Sequence, residues 1–101
     1  MEGMINEEKP IFALMMNKLA NIYGKQLNQD IIDVYWEILR PYKIYNVGKA
    51  FMLCIEQYQH FPKPAQILPE CSNSIRIYGH RDKTDFISYD RQEVLQIKNG
   101  G

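Results

Sequence analysis

Apolar residues recur at three- and four-residue spacing in three separate stretches of this chain, and each stretch is bounded by residues that start or stop helices. Phe12, Met15, Met16, Leu19, Ile22 and Tyr23 make the first stripe. Pro10 stands ahead of it, where a missing amide costs nothing in a first turn, and Gly24 follows, suited to a left-handed stop. Ile31, Ile32, Tyr35, Ile38 and Leu39 make the second, with Trp36 on its flank. Asn28 is placed to cap it, Leu27 and Ile32 to form an apolar staple across that cap, and Pro41 to end it. Val47, Ala50, Phe51, Cys54, Ile55 and Tyr58 make the third, which predicts a helix from about Val47 to Gln59 with Asn46 as its cap and Tyr42 to Tyr45 as the loop before it. One-sided stripes joined by short loops bury their apolar faces only against one another. The predicted fold is therefore mainly α, a three-helix bundle.

The periodicity breaks between Tyr58 and Leu68. Pro62 and Pro64 lack amide donors and push the residues before them out of the helical region, so the third helix cannot continue through them. Phe61, Ile67 and Leu68 are nonetheless apolar, which predicts a corner that folds back onto the bundle and closes it, with one short helical turn from Pro64 to Leu68 stopped by Pro69.

Beyond this corner, Cys71 to Ser74 reads as a linker, and Ile75 to Tyr78 and Phe86 to Tyr89 read as two short β-favouring runs around a polar break, the pattern of a small C-terminal hairpin. The expected division is a bundle over residues 1–70 and a hairpin and tail over 71–101. A lone hairpin is marginal in water, so this one would pack on the bundle, serve a partner, or pair its edge over Ile75 to Tyr78 with a second copy to form a homodimer.

The totals exclude several classes. A chain of 101 residues is one domain's worth. Hydrophobic residues at 46% and charged residues at 24% are globular proportions, not those of a disordered chain. Twelve basic and twelve acidic residues cancel, and split at Glu70 the first part has seven basic against eight acidic and the rest five against four, so neither part is a polybasic arm. Gripping nucleic acid through its phosphates draws on a basic excess that this chain lacks, which makes nucleic acid the weaker partner class. The amino end has no signal-peptide pattern, and no apolar run approaches the roughly 20 residues of a membrane helix. A cytoplasmic protein with free thiols and no membrane contact is expected.

Reactive groups form no recognisable constellation. Cys54, Cys71, His60 and His80 match no metal-ligand spacing, so no metal is expected. No Ser or Cys sits in a nucleophile motif and no glycine-rich phosphate loop occurs. Asp30, Asp33 and Glu37 fall on the polar side of the second stripe, where solvation accounts for them. No catalytic residue and no cofactor is expected, and the chain reads as a non-enzyme. The aromatics carry more information: they are 12% of the chain, and Tyr42, Tyr45, Tyr78 and Tyr89 lie outside the stripes. Rings with a polar tip cover bundle ends, serve protein interfaces or stack on single-stranded bases. With Arg76, Arg81 and Phe86 beside them, Tyr42, Tyr45, Tyr78 and Tyr89 are the predicted partner-binding residues. Asp82, Asp85 and Asp90 interleave with the basic residues there, the pattern of a solvated surface.

Four segments taken together, Leu19 to Lys25, Val34 to Leu39 with its Tyr35-Trp36 pair, Ala50-Phe51, and Phe61 to Ile67 with its Phe-Pro-Lys-Pro-Ala run, resemble the amino-terminal helical domains of small phage and prophage replication proteins. That class includes the helicase loader and inhibitor of certain phages, and the resemblance covers about Ile11 to Leu68. It implies a compact helical domain without enzymatic activity that binds a replicative helicase or an initiator and controls its delivery to DNA. In that class the carboxyl-terminal region engages the helicase, whereas Ile75 to Tyr89 here reads as strands. A single-stranded nucleic-acid-binding module and an inhibitor of a host defence complex are the alternative expectations.

Overall fold

In a computed structural model, which describes residues 3–80, four α-helices pack around one apolar core. They are α1 (Lys9–Ile22), α2 (Gln29–Leu39), α3 (Ile44–Gln57) and α4 (Pro64–Tyr78), preceded by a 3-10 turn over Asn6–Glu8. There is no strand among the described residues.

The first two helices begin and end where their sequence signals place them. Pro10 occupies the first turn of α1. After α1, Lys25 N–H donates to the Ala20 carbonyl at 2.8 Å and Gly24 N–H to the Asn21 carbonyl at 3.2 Å, a paired closure that requires the left-handed φ of +65° at Gly24. Asn28 caps α2 by accepting from the Ile31 amide at 2.9 Å. Phe12, Met15, Met16 and Leu19 of α1 meet Ile32, Trp36 and Leu39 of α2 in the core, and the Phe12 and Trp36 rings meet edge to face at 5.5 Å. At the surface the two helices are joined by Lys9 and Asp33 at 2.9 Å. Hydrogen bonds from Gln29 and Lys9 hold the Asp33 carboxyl below its ordinary range. Ile22 and Ile38, expected within the stripes, are exposed instead.

The third helix starts earlier than its sequence suggests. Lys43 is extended and α3 begins at Ile44, which is buried, so Ile44 and Tyr45 are helical rather than part of a loop. Asn46 is not its cap; it sits in the first turn, fully buried, with its amide directed to α4.

The fourth helix is the main correction. It runs without interruption through Pro69 and through the expected linker Cys71 to Ser74. Ile75 to Tyr78, expected to be the first hairpin strand, are its last turn, and the second run, Phe86 to Tyr89, lies outside the described residues. A strand edge over Ile75 to Tyr78 is therefore not on offer for a homodimer, and the division expected at Glu70 falls inside α4. Pro69 deprives α4 of one backbone hydrogen bond, to the Ala65 carbonyl, at a cost of about 3 kcal/mol. Both Ala65 and Pro69 are exposed, so the released carbonyl is on the side open to water. The opposite face carries Ile67, Glu70, Cys71 and Ser74 at helical spacing, all buried, and that burial against α3 outweighs the local loss.

The proline corner closes the bundle as expected. Pro62 and Ile67 are fully buried. The Phe61 ring lies between Tyr23 at 6.1 Å and Tyr35 at 5.9 Å. Both tyrosines also bind the corner's backbone: Tyr23 OH donates to the Tyr58 carbonyl and Tyr35 OH to the Pro62 carbonyl, each at 2.9 Å.

Candidate interaction surface

The seam between α3 and α4 is held by polar side chains as well as apolar ones, and it fixes the two helices antiparallel. At one end Gln57 Nε2 donates to Glu70 Oε2 at 2.8 Å, and Asn73 Nδ2 to Glu70 Oε1 at 3.1 Å, so a mostly buried carboxylate is answered by two neutral amides. Near the same end the Cys54 thiol points to the Gln66 carbonyl in the first turn of α4, at 3.9 Å. Burial, with the nearby Glu70 charge, pushes both the Cys54 and the Cys71 thiol up to about 12. Neither is a nucleophile at neutral pH.

At the other end Asn46 Nδ2 donates to Ser74 Oγ at 3.2 Å and to the Gly79 carbonyl at 2.9 Å. Ser74 Oγ in turn lies 2.7 Å from the Cys71 carbonyl and 3.2 Å from that of Asn46. The Asn46 amide thus ties the start of α3 to the residue that ends α4. Gly79 is there with φ of +79°, a left-handed value that turns the chain out of the helix. The Oδ1 of Asn46 is buried without a hydrogen-bond partner.

Of the expected partner-binding residues, Tyr45, Arg76 and Tyr78 lie toward this end. Tyr45 is buried in the first turn of α3 and Tyr78 is exposed in the last turn of α4. The Lys49 ammonium lies 5.6 Å from the Tyr45 ring centre and 4.7 Å from that of Tyr78, joining the two helices through both rings. Arg76 is exposed and its guanidinium donates to Asn73 Oδ1 at 2.8 Å. Tyr42, half-buried in the loop between α2 and α3, touches α4 elsewhere: its hydroxyl meets Ser72 Oγ at 3.2 Å. Arg81, Phe86 and Tyr89 lie outside the described residues.

Three residues of this surface escaped the sequence reading. Lys49 carried a signal, since it stands four residues after Tyr45 and so on the same helix face. Ile77, the most exposed large apolar side chain among the described residues, falls in a run whose composition favours a strand. Asn46 was read as a cap, and only the position of α4 shows its other use.

The exposed turn Arg76-Ile77-Tyr78, backed by the Lys49 ammonium, offers an apolar side chain, an aromatic ring and cationic groups within one helical turn. Such a surface is equipped to hold a protein by apolar contact with acidic groups at its rim. No group of three or more His, Cys, Asp or Glu side chains among the described residues is arranged to hold a metal ion. No helix among them is long and apolar enough to cross a membrane. No protein-family model, curated protein or solved structure matches the chain.

Proposed function

We propose that the protein is a non-enzymatic adaptor of phage or prophage type, acting in the cytoplasm, that binds a replicative helicase or an initiator and regulates its loading on DNA. The observation that carries this reading is the end of α4. Arg76, Ile77 and Tyr78 stand in solvent there, and Asn46 and Lys49 fix the turn from below. Residues 81–101, which include Arg81, Phe86 and Tyr89, continue from that turn and extend the same aromatic and charged chemistry. The bundle serves as the scaffold that presents it. The likeness of Ile11 to Leu68 to phage replication domains supports helicase or initiator as the partner class.

Co-purification with the replicative helicase of the cell that carries the gene, followed by the helicase ATPase rate with and without this protein, tests the reading. A complex at micromolar concentration with an altered ATPase rate is expected. Absence of a complex with both the helicase and the initiator contradicts it.

Single-stranded DNA is the second reading, favoured by one observation: the exposed Tyr78 ring lies beside a lysine ammonium, a pairing that suits a stacked base and its phosphate. The balanced charge of the chain weighs against it. Affinity for single-stranded DNA that falls steeply between low and physiological salt is its signature.

A further inference from the structure

Met4 lies ahead of every helix, yet it is only 5% exposed and belongs to the apolar core. Its amide donates to the Arg40 carbonyl, where α2 ends, at 2.8 Å. Gly3 passes so close to the same corner that a Cβ there would collide with the Arg40 and Pro41 carbonyls, backbone groups that cannot swing aside. Below it, the Glu8 carboxylate accepts from the Ile5 amide at 2.9 Å. Residues 3–5 thus form a strap, rooted on the 3-10 turn and laid over the end of α2 along a path open only to glycine. The same corner carries Tyr42. Its amide donates to the Leu39 carbonyl at 3.0 Å, and its hydroxyl meets Ser72 Oγ at 3.2 Å, one helical turn along α4 from Arg76.

We propose that the strap is a conformational switch. Seated, it clamps the corner from Arg40 to Tyr42 and so keeps Tyr42 on α4; lifted, it exposes Met4 and releases Tyr42 from Ser72. The balance between the two states is close. One buried thioether side chain and one hydrogen bond favour seating, while the ordering of a short segment outside any helix opposes it, and these terms are similar in size. Released, the Tyr42 ring with its polar tip is presented to a partner beside the outer face of α4. That use rests on the reading of the α4 end as the partner-binding surface, whereas the switch itself is tested on the chain alone.

Amide hydrogen exchange of the intact chain, followed residue by residue by NMR, reads the switch. In the parent, the Met4 and Tyr42 amides are expected to share one opening, roughly tenfold or more faster than the slowest amides of α1. Gly3→Ala, which blocks the path of the strap, is expected to speed both by roughly a further tenfold while Met15 to Leu19 keep their protection. Met4→Asp, which removes the anchor without crowding the corner, is expected to do the same. A parent Met4 amide that exchanges only as slowly as the α1 core overturns a strap that opens by itself. Variants that speed Met4 or its successor at that position but leave the Tyr42 amide unchanged overturn the hold on the corner. Loss of protection throughout α1 in both variants makes the strap an inseparable part of the core and overturns the switch.

Discussion

The Tyr35 hydroxyl donates to the carbonyl oxygen of Pro62 across 2.9 Å, binding the middle of α2 to the corner that joins α3 to α4. Tyr23 makes the matching bond to the Tyr58 carbonyl from the end of α1, and Phe61 is held between the two rings. All four described helices therefore meet at one short proline-containing segment. Desolvation raises both phenols above their ordinary value, as expected for hydroxyls that serve as donors in a partly dry site. Tyr35→Phe and Tyr23→Phe are each expected to lower the unfolding free energy by about 1 kcal/mol, with the helical signal of the folded state unchanged. Urea unfolding followed by circular dichroism checks this; a Tyr35→Phe chain as stable as the parent contradicts the role given to the corner.

The Asn46 amide has a larger expected effect, because its bond to Ser74 is buried, its bond to the Gly79 carbonyl is partly so, and its removal deprives both of a donor. Asn46→Ala is expected to cost about 1–3 kcal/mol. It should also free the end of α4, seen as faster amide exchange over Ile75 to Gly79 while the middle of α4 stays protected. Uniform loss of protection along the helix would contradict a local tie.

Pro69→Ala tests whether α4 truly passes through its proline. The substitution restores an amide to pair with the Ala65 carbonyl at an exposed position, and it loses some rigidity of the unfolded chain. A net gain of roughly 1–2 kcal/mol is expected, from up to about 3 kcal/mol of recovered helix geometry less the entropic term. If Pro69 instead ended a helix, replacing it would bring no such gain.

The two buried thiols make stability fall in alkali. An unfolded Cys releases its proton near 9.0, whereas Cys54 and Cys71 hold theirs to about 12 in the folded chain. Between these values the unfolded state binds fewer protons, so the contribution of the thiols is complete below 9.0 and is lost as the pH rises toward 12. The raised Tyr23 and Tyr35 phenols act with the same sign. The melting temperature is therefore expected to decline above that pH, less steeply in a Cys54→Ala/Cys71→Ala chain. Equal slopes in the two chains would contradict the assignment to the thiols. A thiol reagent at neutral pH is expected to label neither cysteine until the chain is unfolded.

Much of the bundle was legible in the sequence because its punctuation is local. Gly24, Asn28 and Pro41 act within a turn of the helix ends that they mark, and Phe61 is an apolar residue in the break that Pro62 and Pro64 impose after α3. Two elements were misread because tertiary contacts overrode local preference. Asn46 looks like a cap in isolation, but it pairs with α4 and the helix begins before it. Pro69 looks like a stop and Ile75 to Tyr78 like a strand, yet the buried face through Ile67, Cys71 and Ser74 carries the helix past both. The candidate surface was half legible. The residue types of Tyr42, Tyr45, Arg76 and Tyr78 mark them as candidates, but that Tyr45 is buried and that Lys49 links it to Tyr78 depend on how α3 and α4 pack.

The most direct test of the adaptor reading is the affinity of the intact chain for the replicative helicase, measured by calorimetric titration and repeated with Arg76→Ala and Tyr78→Ala. Both side chains are exposed, so both variants should fold as the parent does. A parent complex of micromolar affinity or better, weakened roughly tenfold or more by Tyr78→Ala and less by Arg76→Ala, is the predicted result. A helicase that binds all three chains equally would move the contact away from the end of α4, and a helicase that binds none of them would contradict the account.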